Sequence, residues 1–295
     1  MVRTKTHKKR PSKKKYNSCK RGGSRKHREL VSIHGFKSQC KYNLFEDYGI
    51  KDFDDTLEEG DTVFMSLFDI DKQFVEKQPP KKVTLVVGIN DETFDDTYMD
   101  KVRPYVTKVY AQNASADGVI QNPIGFRDDQ HTPHSVLYDV LDNNKYTGTK
   151  SILCLVNFIV GSNKDERTLA KEYFIDKKWA NVNHEYLKYD FSKSLHYSDP
   201  EVKKMRVNYY KDLKKTKFVI CPRGGAVDTH RIYESLFFGC IPVIKTSFLD
   251  PMYRKLGGCW IVNDWNEVTE EECNNRWNNR VKEHIRLHAS DWRVE

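Results

Sequence analysis

An α/β fold on parallel sheets is predicted by three observations. Phe218–Cys221 is a short apolar run suited to a strand buried on both faces, Gly224–Gly225 turns the chain directly after it, and a helix then returns through Gly239 into Ile241–Ile244. Pro222 ends the first strand, and the two glycines allow a tight turn that brings main-chain N–H groups close to anything bound there. Asp228 or Thr229 can cap the helix, and Gly239 suits the left-handed position past its end. Cys259–Val262 makes a further strand.

The chain upstream supplies the other strands. From Leu30 to about Lys51 the pattern is irregular, with Tyr42, Leu44, Phe45 and Tyr48 as an edge of a first domain. Thr62–Phe68 and Val83–Val87 read as strands, a helix starts near Thr93, and Val106–Ala111 is a strand. Pro123–Phe126 follows, then a polar loop of Arg127, Asp128, Asp129, His131 and His134 that can line a cleft; Pro133 argues against a helix presenting both histidines to a metal. Residues 143–149 read as a linker. Ser151–Val160 then begins a second parallel sheet, Asp165–Phe174 is a helix, Lys178–Val182 a weak strand and Met205–Lys215 a helix with charges on its outer face. Thr269–Glu272 fits a capping box for a long terminal helix carrying Trp277, Val281, Ile285 and His288, with Trp292 as an anchor to the first domain. The division is a basic tail at 1–29, a first domain at 30–147 and a second at 148–295.

Charge is unevenly spread. Residues 1–28 hold 13 of the 50 lysines and arginines and none of the 42 acids, which leaves the remainder with 37 basic and 42 acidic side chains. The tail lacks the apolar run of a secretory signal and is too charged to fold alone. Nuclear targeting, nonspecific nucleic-acid contact and an anionic membrane surface are its functional readings. Only Tyr16 interleaves an aromatic ring, so nucleic-acid contact there would be salt-sensitive and sequence-blind. The seven cysteines are odd in number and lack Cys-x-x-Cys spacing, so neither a disulfide frame nor a zinc site is indicated. No apolar run is long enough to cross a bilayer. These features suit a cytoplasmic or nuclear protein, and the style of the sequence suggests a large DNA virus as its source.

The chemistry centres on the glycine turn. A glycine turn between a buried strand and a helix start concentrates N–H donors and the positive helix end at one point, which suits a phosphate. Arg231 and Glu234, three residues apart, share a face of that helix, as an arginine for a diphosphate and a carboxylate for ribose hydroxyls would; the plainer alternative is a helix-end ion pair. Asn163 and Arg167 face the same carboxyl edge, and Arg167 can add a second cation or be a surface charge. Asp91, after the Val83–Val87 strand, is a candidate general base, or else the cap of the helix near Thr93. Asp69 and Asp71 form an Asp-x-Asp triplet after a buried strand, the way a divalent cation is held on a diphosphate, although such triplets arise by chance in an acid-rich chain.

The segment CPRGGAVDTHRIYESLFFGCIPVI, continuing into Val262–Trp265 and Glu267–Thr269, resembles the donor-binding segment of exostosin-like glycosyltransferases, with Ser235 where alanine is usual. Weaker similarity runs through LVNFIVGSNKDER at 155–167, AQNASADGVIQNPIGFRDD at 111–129 and VVGINDETF at 86–94, where Asp91 matches the acid of a G-N-S-D pattern and Ile89 and Asn90 depart from it. The resemblance implies a GT-B fold, two Rossmann-like domains facing a cleft. It implies a hexosyl- or glycuronyltransferase taking a UDP- or GDP-linked sugar as co-substrate and a glycan or glycoprotein acceptor. Arg223, Gly224, Gly225, Asp228, Thr229, His230, Arg231, Glu234, Asn163 and Arg167 would form the donor site, with no divalent cation required. The competing readings are a nucleic-acid-associated protein with an inactive transferase-like body acting through its tail, and a GT-A enzyme holding a metal at Asp69 and Asp71.

Overall fold

The computed structural model describes residues 30–44, 53, 56–89, 91–127, 134–142, 149–184, 187, 199–281 and 283–295. The basic tail, Phe45, Tyr48, Asn90, Asp128, Asp129, His131 and the linker residues 143–148 lie outside them.

Two five-stranded parallel sheets form the frame. The first runs β1 (Tyr42–Asn43), β2 (Thr62–Ser66), β3 (Val83–Gly88), β4 (Val106–Gln112) and β5 (Ile120–Asn122) side by side in chain order. The second has the order β10 (Trp260–Val262), β9 (Ile241–Lys245), β8 (Thr216–Ile220), β6 (Ile152–Val156), β7 (Ala180–Val182). Within the two sheets, every described strand pairing is parallel. Parallel strands covered on both faces explain why β3 is buried along its whole length and why β8 is apolar from Phe218 to Ile220. In the second sheet β6 pairs with β7 on one side and β8 on the other, so the connections after β6 and β8 leave in opposite directions. In an open α/β sheet that switch point is where a ligand crevice forms, outside the carboxyl ends of the strands.

Eight α-helices are described: α1 (Ile33–Lys37), α2 (Asp96–Val102), α3 (His134–Asp142), α4 (Lys164–Phe174), α5 (Pro200–Lys215), α6 (His230–Phe237), α7 (Asp250–Leu256) and α8 (Glu270–Asn278). One apolar cluster backs the first sheet with Val63, Leu85 and Val109, and another backs the second with Val156, Phe218 and Val243. A third joins the halves, running from Phe64, Val86 and Tyr110 through Leu155 and Val219 to Tyr209, Tyr210 and Tyr233. Each buried leucine- or phenylalanine-sized side chain contributes about 1.5–3 kcal/mol, so this shared cluster resists separation of the sheets.

Several boundaries differ from the sequence reading, each for a local reason. The second strand stops at Ser66, not Phe68, because the Ser66 hydroxyl accepts the Phe68 N–H (3.3 Å) and starts a 3₁₀ turn that leaves Phe68 exposed. The helix after β3 starts at Asp96, capped by Asp95, whose side chain accepts from the Thr97 and Tyr98 amides; Asp91 therefore does not cap it. Ser151–Val160 is strand only from Ile152 to Val156, and α5 starts earlier than Met205, at Pro200, with Asp199 as its cap. Thr269 caps α8 as expected, but the helix ends at Asn278 in an asparagine-rich stretch of weak helix formers. The described residues beyond it return as a strap without further α-helix, carrying one 3₁₀ turn at Ala289–Asp291. Val31 donates to Leu287 (2.8 Å), Leu30 bridges His288 antiparallel, Trp292 is buried, and the Tyr110 hydroxyl donates to the Glu295 carbonyl (3.2 Å). Val281, expected on the helix stripe, is exposed.

Candidate functional site

A cleft of about 320 Å³ opens at the switch point of the second sheet and faces the carboxyl edge of the first. Its wall from the second sheet is the loop after β8, and α4 fixes that loop. Arg167 is buried. Its Nε donates to the Arg223 carbonyl (2.9 Å), Nη1 to Ile159 (2.7 Å) and Nη2 to Pro222 (3.4 Å). Asn163 caps α4 through its Oδ1 and donates from Nδ2 to the Gly224 carbonyl (2.9 Å). Three successive carbonyls thus point at α4. Because C=O and N–H of a trans peptide point opposite ways, the Gly225 N–H is directed away from α4, and the Gly224 N–H closes the turn on the Ala226 carbonyl (3.0 Å). A Cβ on Gly225 would sit 3.0 Å from Asp91 Oδ2, which places the Asp91 carboxylate directly across from the turn.

Cations dominate the lining. Arg127, Arg167, Arg206 and Arg231 all border the cleft, with Asp91, Asp228 and Glu234 as the acids. Burial, with Arg231 nearby, pushes the Arg167 guanidinium down to about 9, and burial with Arg206 nearby lowers Arg127 against the pull of Glu234, Tyr210 and Asp91. Mutually repelling, partly desolvated arginines would be stabilised by a polyanion. Arg231 lies over the Tyr209 ring (5.0 Å to the centroid), and its Nη1 is buried with no hydrogen-bond partner among the described residues; the same holds for Thr229 Oγ1. Two orphaned donors at the opening turn of α6 fit a phosphoryl group, where the helix dipole also favours negative charge.

Glu234 is nearly buried, its Oε1 accepting from the Tyr210 hydroxyl (2.9 Å). Asp91 follows Ile89, which has φ 58°, a left-handed conformation that is strained for a β-branched residue. Gln112 imposes it, accepting the Ile89 N–H (3.2 Å) while donating to Pro123 (3.3 Å). Such strain costs on the order of 1–3 kcal/mol and gathers at functional sites.

The structure brings Asp91, Arg167, Gly224, Gly225, Asp228, Thr229, His230, Arg231 and Glu234 to one cleft, with Asn163 behind it. Arg223 is exposed and outside the lining; its contribution is the carbonyl that Arg167 holds. Arg167 is buried and braces the loop, so it is not a surface charge; three of its five N–H groups donate to carbonyls. Asp228 caps nothing: Thr229 occupies the N-cap position without a side-chain capping bond, while the Asp228 carboxylate turns inward to the Ile124 N–H. Arg231 and Glu234 do not pair with each other; Tyr209 and Tyr210 receive them separately. Asp71 pairs with Lys101 at the surface (2.9 Å), neither Asp69 nor Asp71 reaches the cleft, and no group of three potential metal ligands occurs among the described residues.

Arg206 and Tyr210 were missed by the sequence reading. The inner stripe of α5 (Val202, Tyr209, Tyr210, Leu213) is apolar, and Arg206 sits one turn before Tyr210 beside it. A cation bordering a buried stripe is the signal that could have found it.

Residues 154–279 match the family model of the RXYLT1 C-terminal domain, a xylosyltransferase-related family within the exostosin-like group. The match begins inside β6 and covers the rest of the second sheet with α4, α5 and α6, and it points to a glycosyltransferase in general. No curated protein matches the chain. No described helix is long and apolar enough to cross a membrane.

Proposed function

We propose that the protein is a GT-B-type glycosyltransferase that transfers a sugar from a UDP- or GDP-linked donor to a glycan or glycoprotein acceptor. The observation that carries this reading is the orphaned Arg231 Nη1 and Thr229 Oγ1 at a glycine turn whose Pro222, Arg223 and Gly224 carbonyls are drawn away by Asn163 and Arg167. The donor diphosphate lies against Arg231, the Gly225 N–H and the start of α6; Glu234 takes the ribose hydroxyls. Asp91 receives the proton of the acceptor hydroxyl as its oxygen bonds to the anomeric carbon and the bond to the diphosphate oxygen breaks. Negative charge growing on the leaving diphosphate is met by arginines already in place, the arrangement that lowers a transfer barrier most, so no divalent cation is obligatory.

The test is saturation-transfer NMR against UDP- and GDP-sugars, with released or transferred sugar followed by mass spectrometry. Because the matching family is xylosyltransferase-related, pentosyl donors belong in the screen beside hexosyl and glucuronyl ones. Saturation transfer to the nucleotide, lost in Arg231→Ala and Glu234→Ala, is expected. A folded wild type that binds none of these donors ends the reading.

A further inference from the structure

We propose that Asp228, with His230, is a positioning residue that latches the glycine loop of the second sheet onto the carboxyl edge of the first, and so sets the span across the cleft between Asp91 and Arg231.

Three hydrogen bonds cross between the halves within three residues. The Asp228 backbone N–H donates to Asn113 Oδ1 (2.9 Å), Asp228 Oδ2 accepts the Ile124 N–H (2.8 Å), and protonated His230 Nδ1 donates to the Gly125 carbonyl (2.7 Å). The first-sheet partners, Asn113, Ile124 and Gly125, all lie just beyond the carboxyl ends of β4 and β5. They are rigidly placed: Gly125 has φ 69°, and a Cβ there would come within 2.1 Å of the Val31 carbonyl oxygen. From the other side the carboxylate is aimed by Tyr233 of α6, whose hydroxyl donates to Oδ2 (2.6 Å), and by Tyr253 of α7, which donates to Oδ1 (3.3 Å).

Asp228 is 1% exposed, so any route from donor phosphate to its carboxylate passes through the groups it already holds. A buried carboxylate is costly to keep, and burial raises Asp228 to about 6. A fold that retains such a group gains in return a fixed geometry, since each partner accepts only one placement. What is fixed here is functional: Arg231 follows His230 directly, and Asp91 follows β3, the neighbour of β4.

The kinetic part of this inference rests on the transferase reading; the latch does not. Hydrogen exchange by mass spectrometry on the full chain separates the two. In Asp228→Ala the peptide spanning residues 120–127 should exchange at least about tenfold faster than in wild type, with residues 216–220 unchanged. Asp228→Asn keeps one oxygen for the Ile124 N–H and should restore most of the protection. Kinetically, Asp228→Ala should lower kcat at least about tenfold while the donor KM stays within about threefold. Unchanged exchange at 120–127 overturns the latch. An equal loss of donor affinity and turnover makes Asp228 a donor contact and overturns the positioning role. Should Asp228→Ala fail to fold, Tyr233→Phe and Tyr253→Phe each remove one donor to the carboxylate, and no change at 120–127 in both would overturn it equally. If wild type binds no nucleotide sugar, the transferase reading fails and the exchange data still decide the latch.

Discussion

The two carboxyl edges that face each other across the cleft are built differently. On the second sheet, three carbonyls of the loop after β8 are gripped by two side chains of a single helix, Arg167 and Asn163, before any ligand is present. On the first sheet, Asp91 projects from a turn strained at Ile89 and held mainly through Gln112. On the proposed function, the difference would separate holding from reacting. A wall that binds a pyrophosphate gains from being fixed in advance, since ordering costs are then not charged against affinity. A carboxylate that takes a proton must have spare lone pairs, and Asp91 is relieved of helix capping by Asp95.

The sharpest way to test that separation is Asp91→Asn, which should lower turnover by about 10²–10⁴ and leave donor affinity within about twofold; steady-state kinetics beside calorimetry reads both. Breaking the other wall should damage stability first. Arg167→Ala strands three carbonyls and should cost about 3 kcal/mol in urea unfolding, each unmet buried acceptor being worth about 1–3 kcal/mol. Arg167→Lys should not rescue it, because one ammonium cannot span carbonyls on residues 159, 222 and 223.

Asp228 gives a pH signature for the seam between the walls. Its acid is raised from 3.8 to about 6 in the folded protein, so between those values the folded state holds the proton more tightly than the unfolded chain. Stability from this group is therefore present at pH 4 and declines as pH rises to 6, by about 3 kcal/mol for two pKa units. Unfolding free energies across pH 4–7 should show this decline in wild type relative to Asp228→Asn; parallel profiles would contradict it. The smallest effect expected is that of Gly225→Ala, whose methyl must push on Asp91 Oδ2 from 3.0 Å. It should weaken donor binding about tenfold with little change in melting temperature.

Much of this was legible in the sequence, and unevenly. The strand, glycine turn and helix at 216–237 could be read because every local rule agrees there: apolar run, proline stop, glycines, then a helical stripe. Asp91, Arg127, Arg167 and Glu234 share one cleft, in keeping with a reading that put Asp91 after a strand, Arg127 in a loop lining a cleft, and Arg167 and Glu234 on helices facing a carboxyl edge. The jobs of single side chains did not follow. Asp228 and Arg167 carry charges at a helix start, and the structure adds partners that spacing does not show: for Asp228 a main-chain amide over a hundred residues away, for Arg167 two carbonyls more than fifty residues away. Such partners are set by tertiary packing, which spacing along one element cannot report. The terminal helix was overextended for a related reason. An apolar spacing of four through Trp277, Val281 and Ile285 is compatible with a helix, but docking of the strap on Val31 and Tyr110 holds the backbone open.

The central claim is that Arg231, at the opening of α6, grips the diphosphate of a nucleotide sugar. Isothermal titration of UDP and GDP into wild type and Arg231→Ala, with folding checked by circular dichroism, tests it most directly. The account predicts one nucleotide bound by wild type and about 10–100-fold weaker binding in the variant, the loss of one charge-assisted contact of roughly 1.5–3 kcal/mol. Equal affinity in the two proteins, or none in wild type, would contradict it.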